Sequence, residues 1–442
     1  MILNDTIVAP ATPSGGAIAI VRVEGENAIA ITEGFVRLAQ GRKLSEMKGY
    51  TMAYGQVWDN TRRVDDVVIS LFRAPNSYTG ADMVEIACHG SAFIVSEIVR
   101  LAIDGGARAA TAGEFTKRAF LAGKIDLSQA EAVADVIAAE ERAALTLADT
   151  QLRGGYSASL AQSRSELVRL ASLLELELDF SEEDVEFADR GELTTLLDRI
   201  GTEIERLARS FATGNAIKKG VAVAIVGEPN VGKSTLLNRL VGDDRAMVSE
   251  IAGTTRDTIE ESVRIDGVVF RFIDTAGLHE TGDRLENMGI ERTQKAVSEA
   301  QIIVEMFDKA GEDIVTAGEN QHLLRVLNKC DNGDIKAPEG WIAISAKYGE
   351  GVAELTAAIR ACVDTSEVMR GETVVSNSRH YEALMRAEES LARAREALSM
   401  GISTDLVAQD IREVLGAIGE ITGEVTNSEI LARIFSEFCI GK

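Results

Sequence analysis

Residues 221–234 have the sequence VAVAIVGEPNVGKS, and residues 235–240 continue as TLLNRL. The first six residues form a short apolar run typical of a buried strand, and the last six have helical spacing. Between them, residues 227–234 match the pattern G-x-x-x-x-G-K-S, whose glycines let backbone N–H groups turn inward around phosphate oxygens. The start of the following helix adds partial positive charge. The order of strand, glycine-rich loop and helix therefore predicts a phosphate-binding loop (P-loop) in an α/β domain.

Two side chains of this loop carry specific predictions. We expect Lys233 to reach the β- and γ-phosphates and to act in catalysis, and we expect the Ser234 hydroxyl to ligate Mg²⁺. The loop residues predicted to bind GTP are Asn230, Val231, Gly232, Lys233, Ser234 and Thr235.

Three further segments follow in the order expected of a GTPase. Residues 274–277 (DTAG) come after an apolar run, so Asp274 is predicted at a strand end where it can hold Mg²⁺ through water. Residues 328–331 (NKCD) follow another such run, and a carboxylate there accepts hydrogen bonds from N1 and the exocyclic amine of guanine, a donor pair that adenine lacks. Residues 345–347 (SAK) resemble the loop behind the base, so the four motifs together predict a GTPase fold. The predicted GTP contacts in these segments are Asp274, Thr275, Ala276, Gly277, Asn328, Lys329, Asp331, Ser345, Ala346 and Lys347.

The segment between the first two motifs, residues 249–257 (SEIAGTTRD), is predicted to contain a nucleotide-dependent switch. A threonine here can ligate Mg²⁺ when the γ-phosphate is present and release it after hydrolysis, and we assign that role to Thr255. Arg256 is either a built-in arginine finger or a solvated surface side chain. The predicted GTP contacts of the segment are Ser249, Glu250, Ile251, Ala252, Gly253, Thr254 and Thr255.

Length and composition limit the class of protein. A chain of 442 residues is too long for one ordinary core, and its 45% hydrophobic and 26% charged residues are typical of a soluble multidomain protein. The formal net charge of −24 argues against nucleic-acid binding by bulk electrostatics, although a local basic groove or a basic partner could still contact RNA phosphates. Four widely separated cysteines argue against zinc and disulfides. Neither a long apolar run nor a secretory signal is found, so a cytoplasmic protein without a membrane span is predicted.

Hydrophobic periodicity divides the rest of the chain. Short apolar runs at residues 17–23, 67–72 and 83–87 predict strands of a mixed α+β domain. From about Ser128 the apolar residues have helical spacing. Helical halves on both sides of an α/β block favour insertion of that block into a helical domain, with three domains in a row as the alternative. The residues assigned to single helix faces are Leu167, Leu170, Leu174 and Leu178, then Leu193, Leu197, Ile200, Ile204, Leu207 and Phe211, and finally Val407, Ile411, Val414 and Ile418.

Several longer segments are more specific than these patterns. The segments are DTIVA (5–9), ATP (11–13), PNSYTG (75–80), VEI (84–86), CHG (88–90), GEFTKRAFL (113–121), GKIDL (123–127), QAEA (129–132), IAGTTRD (251–257) and FCIGK (438–442). Together with the GTPase motifs they resemble the MnmE (TrmE) family of tRNA-modification GTPases, and the resemblance covers essentially the whole chain.

The resemblance implies a multidomain fold. An α+β domain at residues 1–118 is similar to folate-dependent one-carbon enzymes, binds folate and drives homodimerisation. An α-helical bundle domain is built from residues 119–215 and 366–442, the second part ending in the CIGK motif. An α/β P-loop GTPase domain of the Ras type, residues 216–365, is inserted into the helical domain, in agreement with the periodicity.

The resemblance also implies an activity. With an FAD protein of the MnmG (GidA) type, such enzymes use a one-carbon unit of 5-formyl- or 5,10-methylene-tetrahydrofolate. They add an aminomethyl or carboxymethylaminomethyl group to carbon 5 of the wobble uridine of tRNA. GTP hydrolysis is required, and it depends on K⁺ and on pairing of two GTPase domains across the dimer. The cation takes the place of an arginine finger and offsets charge between the β- and γ-phosphates.

Individual residues receive roles from their positions in the family's motifs. Glu286 matches the acid that orients the attacking water and is the second predicted catalytic residue. Cys439 is either a thiol with a role in the chemistry or a buried side chain between Phe438 and Ile440. The implied folate contacts are Arg22, Glu85, Lys124 and Lys442. The implied K⁺ ligands are Asn230, Ser249, Ile251 and Thr254.

A function from another class is a regulatory GTPase switch in ribosome assembly or the stress response. RNA-binding switches of that kind usually append a small domain with a G-x-x-G loop, whereas the C-terminal part of this chain is predicted to be helical. A structural GTPase that forms filaments would leave the folate-like first domain and the C-terminal tail without a role. The sequence therefore favours the tRNA-modifying enzyme.

Overall fold

The computed structural model describes residues 5–179, 190–243, 261–273, 286–318, 321–332, 337–436 and 438–442. These residues divide into two compact units. The first comprises Met1–Ala134 with Gly419–Lys442, and the second comprises Asp135–Ile418.

The strands of the described residues form two separate sheets, one in each unit. In the first unit they are β1 (Ile7–Pro10), β2 (Ile18–Glu24), β3 (Val36–Leu38), β4 (Thr51–Asp59), β5 (Arg62–Phe72), β6 (Met83–His89) and β7 (Arg108–Ala109). In the second unit they are β8 (Val221–Gly227), β9 (Glu261–Ile265), β10 (Val268–Phe272), β11 (Ile302–Phe307), β12 (His322–Leu327) and β13 (Ile342–Ala343).

Helices account for most of the remaining described chain. They are α1 (Ala28–Phe35), α2 (Ala92–Asp104), α3 (Glu114–Leu121), α4 (Leu127–Ala138), α5 (Arg142–Leu152), α6 (Gly155–Asp179), α7 (Arg190–Lys219), α8 (Lys233–Asp243), α9 (Glu286–Glu299), α10 (Val352–Ala361), α11 (Ser366–Met369), α12 (Ser378–Ser399), α13 (Thr404–Thr422) and α14 (Ser428–Ser436). Within the described ranges, no helix is both long and apolar enough to cross a membrane.

The sheet of the first unit has the order β3-β4-β5-β6-β2-β1-β7. Its neighbouring strands are antiparallel except for β1 and β7, which are parallel. Because side chains alternate along a strand, one face of this sheet packs against α1 and α2 in an apolar core. The three strands predicted from apolar runs in this region are confirmed as β2, β5 and β6.

A buried ionic network ties the start of the chain to α3. The Arg118 guanidinium contacts Glu24 at 3.0 Å and Glu114 at 3.1 Å, and it also donates to Asp5. Arg108 donates to both Glu114 and Asp5. Burial alone would raise the pKa of the Glu114 carboxyl, but hydrogen bonds from the two arginines and a backbone N–H outweigh burial and lower it to about 2.

The sheet of the second unit has the order β13-β12-β11-β8-β10-β9. Strand β8 lies at its centre, parallel to β10 and β11, and only β9 runs antiparallel among the described strands. Strand β11 is buried along its whole length because both faces of a parallel sheet are covered. The strands predicted before the P-loop, before residue 274 and before residue 328 are confirmed as β8, β10 and β12.

The helical periodicity predicted from sequence is also confirmed. The predicted faces are buried in α6, α7 and α13, apart from Phe211, which is half-buried and stacks on Tyr381 with ring centroids 4.4 Å apart. The Leu178 side chain lies outside the described residues.

Candidate functional sites

The loop after β8 has a backbone that only particular residues adopt readily. Gly227, Asn230 and Gly232 have φ angles of 150°, 63° and 106°. Glycine has no Cβ to clash at positive φ, and asparagine tolerates the left-handed region better than most residues. A Cβ on Gly232 would lie 2.3 Å from the Asn328 side-chain nitrogen. The loop therefore needs glycine at 232 for two reasons, its conformation and the close approach of Asn328.

Lys233 is the first residue of α8, and its side chain folds over the P-loop. Its Nζ donates to the carbonyl oxygens of Gly227 at 2.8 Å and Glu228 at 2.9 Å. Burial lowers the pKa of this ammonium group. A partly desolvated cation with one donor left over is suited to bind a phosphate oxygen above the loop. Ser234, the predicted Mg²⁺ ligand, is the next residue of α8 and is half-buried.

Asn328 connects the three described nucleotide motifs. Its side-chain nitrogen donates to the Val231 carbonyl of the P-loop at 2.7 Å, and its side-chain oxygen accepts from the Ala346 N–H at 2.9 Å. Strands β8, β11 and β12 are parallel, so their carboxyl ends meet at one edge of the sheet. The residues predicted from separate motifs are thus brought together by sheet topology.

The side of the site predicted to bind guanine is already ordered by protein contacts. The Ser345 hydroxyl donates to an Asp331 carboxylate oxygen at 2.7 Å, which orients the carboxylate; each carboxylate oxygen can accept more than one hydrogen bond. Lys329 has a φ of 63°, and its Nζ lies 3.4 Å from Asp308 at the end of β11. The Lys347 carbonyl accepts from Arg239 of α8 at 2.7 Å.

Part of the predicted nucleotide site lies outside the described residues. This holds for the switch residues and for the DTAG motif, and therefore for the proposed Mg²⁺ ligand Thr255 and for Arg256. Glu286 is the first residue of α9, and only its backbone is described. The predicted contacts concerned are Ser249, Glu250, Ile251, Ala252, Gly253, Thr254, Thr255, Asp274, Thr275, Ala276 and Gly277.

In the first unit, two of the four predicted folate contacts form a direct pair. Arg22 and Glu85 lie opposite each other on the antiparallel strands β2 and β6. Arg22 donates through Nε at 3.0 Å and through Nη2 at 2.7 Å to the same Glu85 oxygen. Its guanidinium lies 5.3 Å from the Phe115 ring centroid and 5.9 Å from that of Tyr78.

The C-terminal tail closes this cluster. Arg22 Nη1 donates to the Gly441 carbonyl at 3.2 Å, and the Phe115 N–H donates to the Lys442 carbonyl at 3.1 Å. Lys442 therefore follows directly on a residue that contacts Arg22. The fourth predicted contact, Lys124, donates to the Pro75 carbonyl at 2.9 Å. This cluster combines a cation, a carboxylate and the half-buried Tyr78 ring, which packs against the apolar cluster of the fully buried Phe115, a set suited to a flat ligand with donor and acceptor groups.

One expectation for the tail is wrong. Cys439 is exposed, whereas the flanking Phe438 suggested a buried side chain. Phe438 is buried against Phe435, 5.5 Å between ring centroids, but Ile440 is 63% exposed. The tail bends at Phe438 and turns at Gly441, where the Lys442 N–H donates to the Cys439 carbonyl at 3.3 Å, and both Cys439 and Ile440 face outward between two buried residues.

Three contacts at these sites were missed in the sequence. Asp308 follows β11 directly, and its position at a strand end was a usable signal. Arg239 and the Gly441 carbonyl carry no local signal, because they meet their partners only after folding.

Comparisons with known proteins extend over the whole chain. Two family models match, the N-terminus of the GTP-binding protein TrmE at residues 6–124 and the MnmE helical domain at residues 127–439. Together with the P-loop sheet, they confirm the predicted multidomain fold class. Relatives named tRNA modification GTPase MnmE from Flavobacterium psychrophilum and Christiangramia forsetii are each 48% identical, with 100% of both chains covered. The protein of that name from Bacteroides fragilis is 47% identical over 99% of this chain and 100% of its own.

Proposed function

The chain belongs to the MnmE family of tRNA modification GTPases, and on that premise we propose how its own residues bind the nucleotide and the one-carbon donor. It is a GTP-hydrolysing enzyme that acts in tRNA modification, as its relatives at 46% to 48% identity are named. The finer assignments below concern residues, cofactors and partners.

GTP binds between the P-loop and the loops after β12 and β13. The observation that supports this best is the Asn328 carboxamide, which hydrogen-bonds to Val231 and Ala346 and so connects all three loops. Lys233 exchanges its carbonyl contacts for β- and γ-phosphate oxygens. Asp331 accepts two hydrogen bonds from guanine while Ser345 orients its carboxylate.

Mg²⁺ and K⁺ complete the nucleotide site. Ser234 and Thr255 hold Mg²⁺, and Asn230 contributes to a K⁺ site with Ser249, Ile251 and Thr254. When bound, the two cations supply positive charge next to the phosphates. The Asn230 side chain is exposed, and its backbone takes the left-handed conformation in the P-loop. Glu286, at the start of α9, orients the attacking water.

A tetrahydrofolate, in its 5-formyl or 5,10-methylene form, binds in the first unit. Glu85 accepts from the pterin's amide and amine donors, and Arg22, Lys124 and Lys442 meet its carbonyl or its glutamate tail. The Arg22–Glu85 pair and its contact with Gly441 support this assignment. The exposed Cys439 thiol lies in the same tail and can take part in the chemistry.

The reaction needs partners. A MnmG-type FAD protein and this chain, acting as a cytoplasmic homodimer, add an aminomethyl or carboxymethylaminomethyl group to carbon 5 of the tRNA wobble uridine. Three domains take part in this reaction. They are the α+β domain at residues 1–118, the helical domain at 119–215 with 366–442, and the GTPase domain at 216–365.

The K⁺ dependence of hydrolysis tests the nucleotide site. We expect GTP turnover by the full chain to be about 100-fold faster in K⁺ than in Na⁺ at equal ionic strength, the effect of one electrostatic group in an active site. Asn230→Gly keeps the positive φ but removes the side-chain oxygen, so it should reduce the K⁺ effect without changing the slow rate in Na⁺. Asn238→Gly, on the exposed face of α8, is not expected to change the ratio of the two rates. Equal rates in both salts for the unaltered chain would contradict cation-assisted hydrolysis.

A further inference from the structure

Glu305 is a fully buried carboxylic acid in the middle of β11, at the centre of the GTPase sheet. In the sheet register it lies beside Val226 of β8 and Arg325 of β12. Its Oε1 accepts two backbone hydrogen bonds, from the N–H of Ile314 at 2.5 Å and of Val315 at 3.1 Å. Both donors belong to residues 308–318, the segment that leaves the carboxyl end of β11.

Burial at this position carries a desolvation cost for the carboxyl group of Glu305. Its Oε2 has no hydrogen-bond partner among the described residues. Burial raises the pKa of Glu305 despite the two N–H donors. An apolar residue would avoid the desolvation cost of a buried polar group, so the glutamate must be explained by what its Oε1 holds.

The segment held by Glu305 is attached to the sheet at further points. Asp313 forms a bidentate ion pair with Arg325 of β12, with both N–O distances 2.6 Å. Val315 and Ala317 pack against the apolar cluster that includes Ile303 of β11. The segment thus spans from the end of β11 to the side of β12.

The same segment begins at the predicted guanine site. Asp308, its first residue, contacts Lys329, which lies in the NKCD motif with a left-handed backbone. A change in the path of residues 308–318 would move Asp308 and release Lys329, whose neighbours Asn328 and Asp331 make the motif's other contacts.

We propose that Glu305 is a positioning residue for guanine-nucleotide binding, because it anchors residues 308–318 and thereby fixes Asp308 against Lys329. The inference rests on the proposed nucleotide site. Glu305 does not touch the ligand, and it acts through the backbone of Ile314 and Val315. Its loss is expected to weaken nucleotide binding and to leave turnover at saturating GTP unchanged.

The test is the affinity of the full chain for a fluorescent GDP, with KM and kcat for GTP. Glu305→Leu fills the same space with an apolar side chain but removes the acceptor, so β11 should stay stable while the segment loses its anchor. We expect Kd and KM to rise about tenfold, the ratio that corresponds to about 1.4 kcal/mol, with kcat within about twofold. Glu305→Gln keeps a carbonyl oxygen for both donors and should restore affinity to within about threefold.

Val304→Ala is the matched control, because Val304 is an equally buried neighbour on β11 whose side chain packs in a different apolar cluster. It should lower the melting temperature without changing Kd. Unchanged Kd in Glu305→Leu, or an equal loss of affinity in Val304→Ala, would overturn the inference. If the unaltered chain itself fails to bind GDP, the proposed nucleotide site is wrong, which is a separate result.

Discussion

The nucleotide site and the Arg22–Glu85 cluster are built in different ways. In the nucleotide site, loops at the ends of parallel strands supply runs of consecutive residues, and their backbones take unusual conformations at Asn230 and Gly232. In the first unit, single side chains from two strands and the chain's last residues come together across 419 positions of sequence. A site that binds its ligand through the backbone of one loop has a recognisable sequence motif. A site formed by isolated side chains appears in the sequence only as scattered charged residues.

The two regions should also respond differently to substitution. The first unit depends on ion pairs between distant residues, so removal of one charge should destabilise the fold of that unit. The nucleotide site depends on loop conformation, so its most sensitive positions should change binding more than stability.

The largest expected effect is on stability, in Glu114→Gln. It removes the buried carboxylate partner of Arg108 and one of the two buried carboxylate partners of Arg118, which keeps only Glu24, and it should lower the free energy of unfolding by about 3 kcal/mol at neutral pH. The pKa of folded Glu114 is about 2, below its ordinary value of 4.5, so this contribution is complete above pH 4.5 and is lost as pH falls towards 2. Urea unfolding followed by Trp58 of β4, in a Trp341→Phe background, measures this unit.

The exposed Glu26→Gln is the control, expected to change stability by less than about 0.5 kcal/mol. An unchanged acid dependence in Glu114→Gln would show that the network does not stabilise the first unit.

The next largest effect is expected in Gly232→Ala. The new Cβ would lie 2.3 Å from Asn328 in a backbone with φ of 106°, so the junction of the nucleotide loops must open. Affinity for fluorescent GDP should fall about 100-fold, equivalent to about 2.7 kcal/mol. Gly242→Ala, in α8 with open space around it, should leave the affinity unchanged and raise stability slightly. Wild-type affinity in Gly232→Ala would contradict the role given to Asn328.

Asp331→Asn sharpens the assignment of the base. It removes two charge-assisted bonds to guanine, and GTP affinity should fall about 30-fold, or about 2 kcal/mol. Xanthine carries a carbonyl in place of the exocyclic amine, so the amide donor of the variant should favour xanthosine triphosphate. Competition titrations of both nucleotides measure whether the preference changes from GTP to xanthosine triphosphate. The exposed Asp364→Asn is the control. Unchanged GTP preference would exclude Asp331 from base recognition.

The smallest effect is expected in Lys442→Ala. The variant keeps the backbone carbonyl that accepts from Phe115 but removes the side-chain cation. Calorimetry should show affinity for 5-formyl-tetrahydrofolate about fivefold lower, a loss of about 1 kcal/mol, with GTP turnover unchanged. The exposed Lys48→Ala should behave as the unaltered chain. Reduced GTP turnover with normal folate affinity would contradict the assignment of Lys442 to folate binding.

The contrast between the regions explains how much was predictable. Strands β8, β10 and β12, the P-loop and the buried faces of α6, α7 and α13 follow from local patterns, because helical and strand periodicity are short-range properties. Of the two alternatives for Cys439, burial is contradicted, because the path of the tail, which turns at Gly441, decides which of its side chains face the rest of the unit. The contact of Glu305 with residues 308–318 could not be predicted from the sequence, because a single glutamate in an apolar strand belongs to no recognisable motif.

By itself, the sequence determined that this protein has a guanine-nucleotide fold and belongs among tRNA-modifying GTPases. Those conclusions depend on runs of adjacent residues whose chemistry is tied to one ligand or one backbone path. Only the tertiary structure decided that Asn328 joins three loops, that Arg22 meets both Glu85 and Gly441, and that Glu305 holds residues 308–318. Hydrogen bonds and ion pairs act over a few ångströms, so these partners exist only where the folded chain brings distant residues within that range.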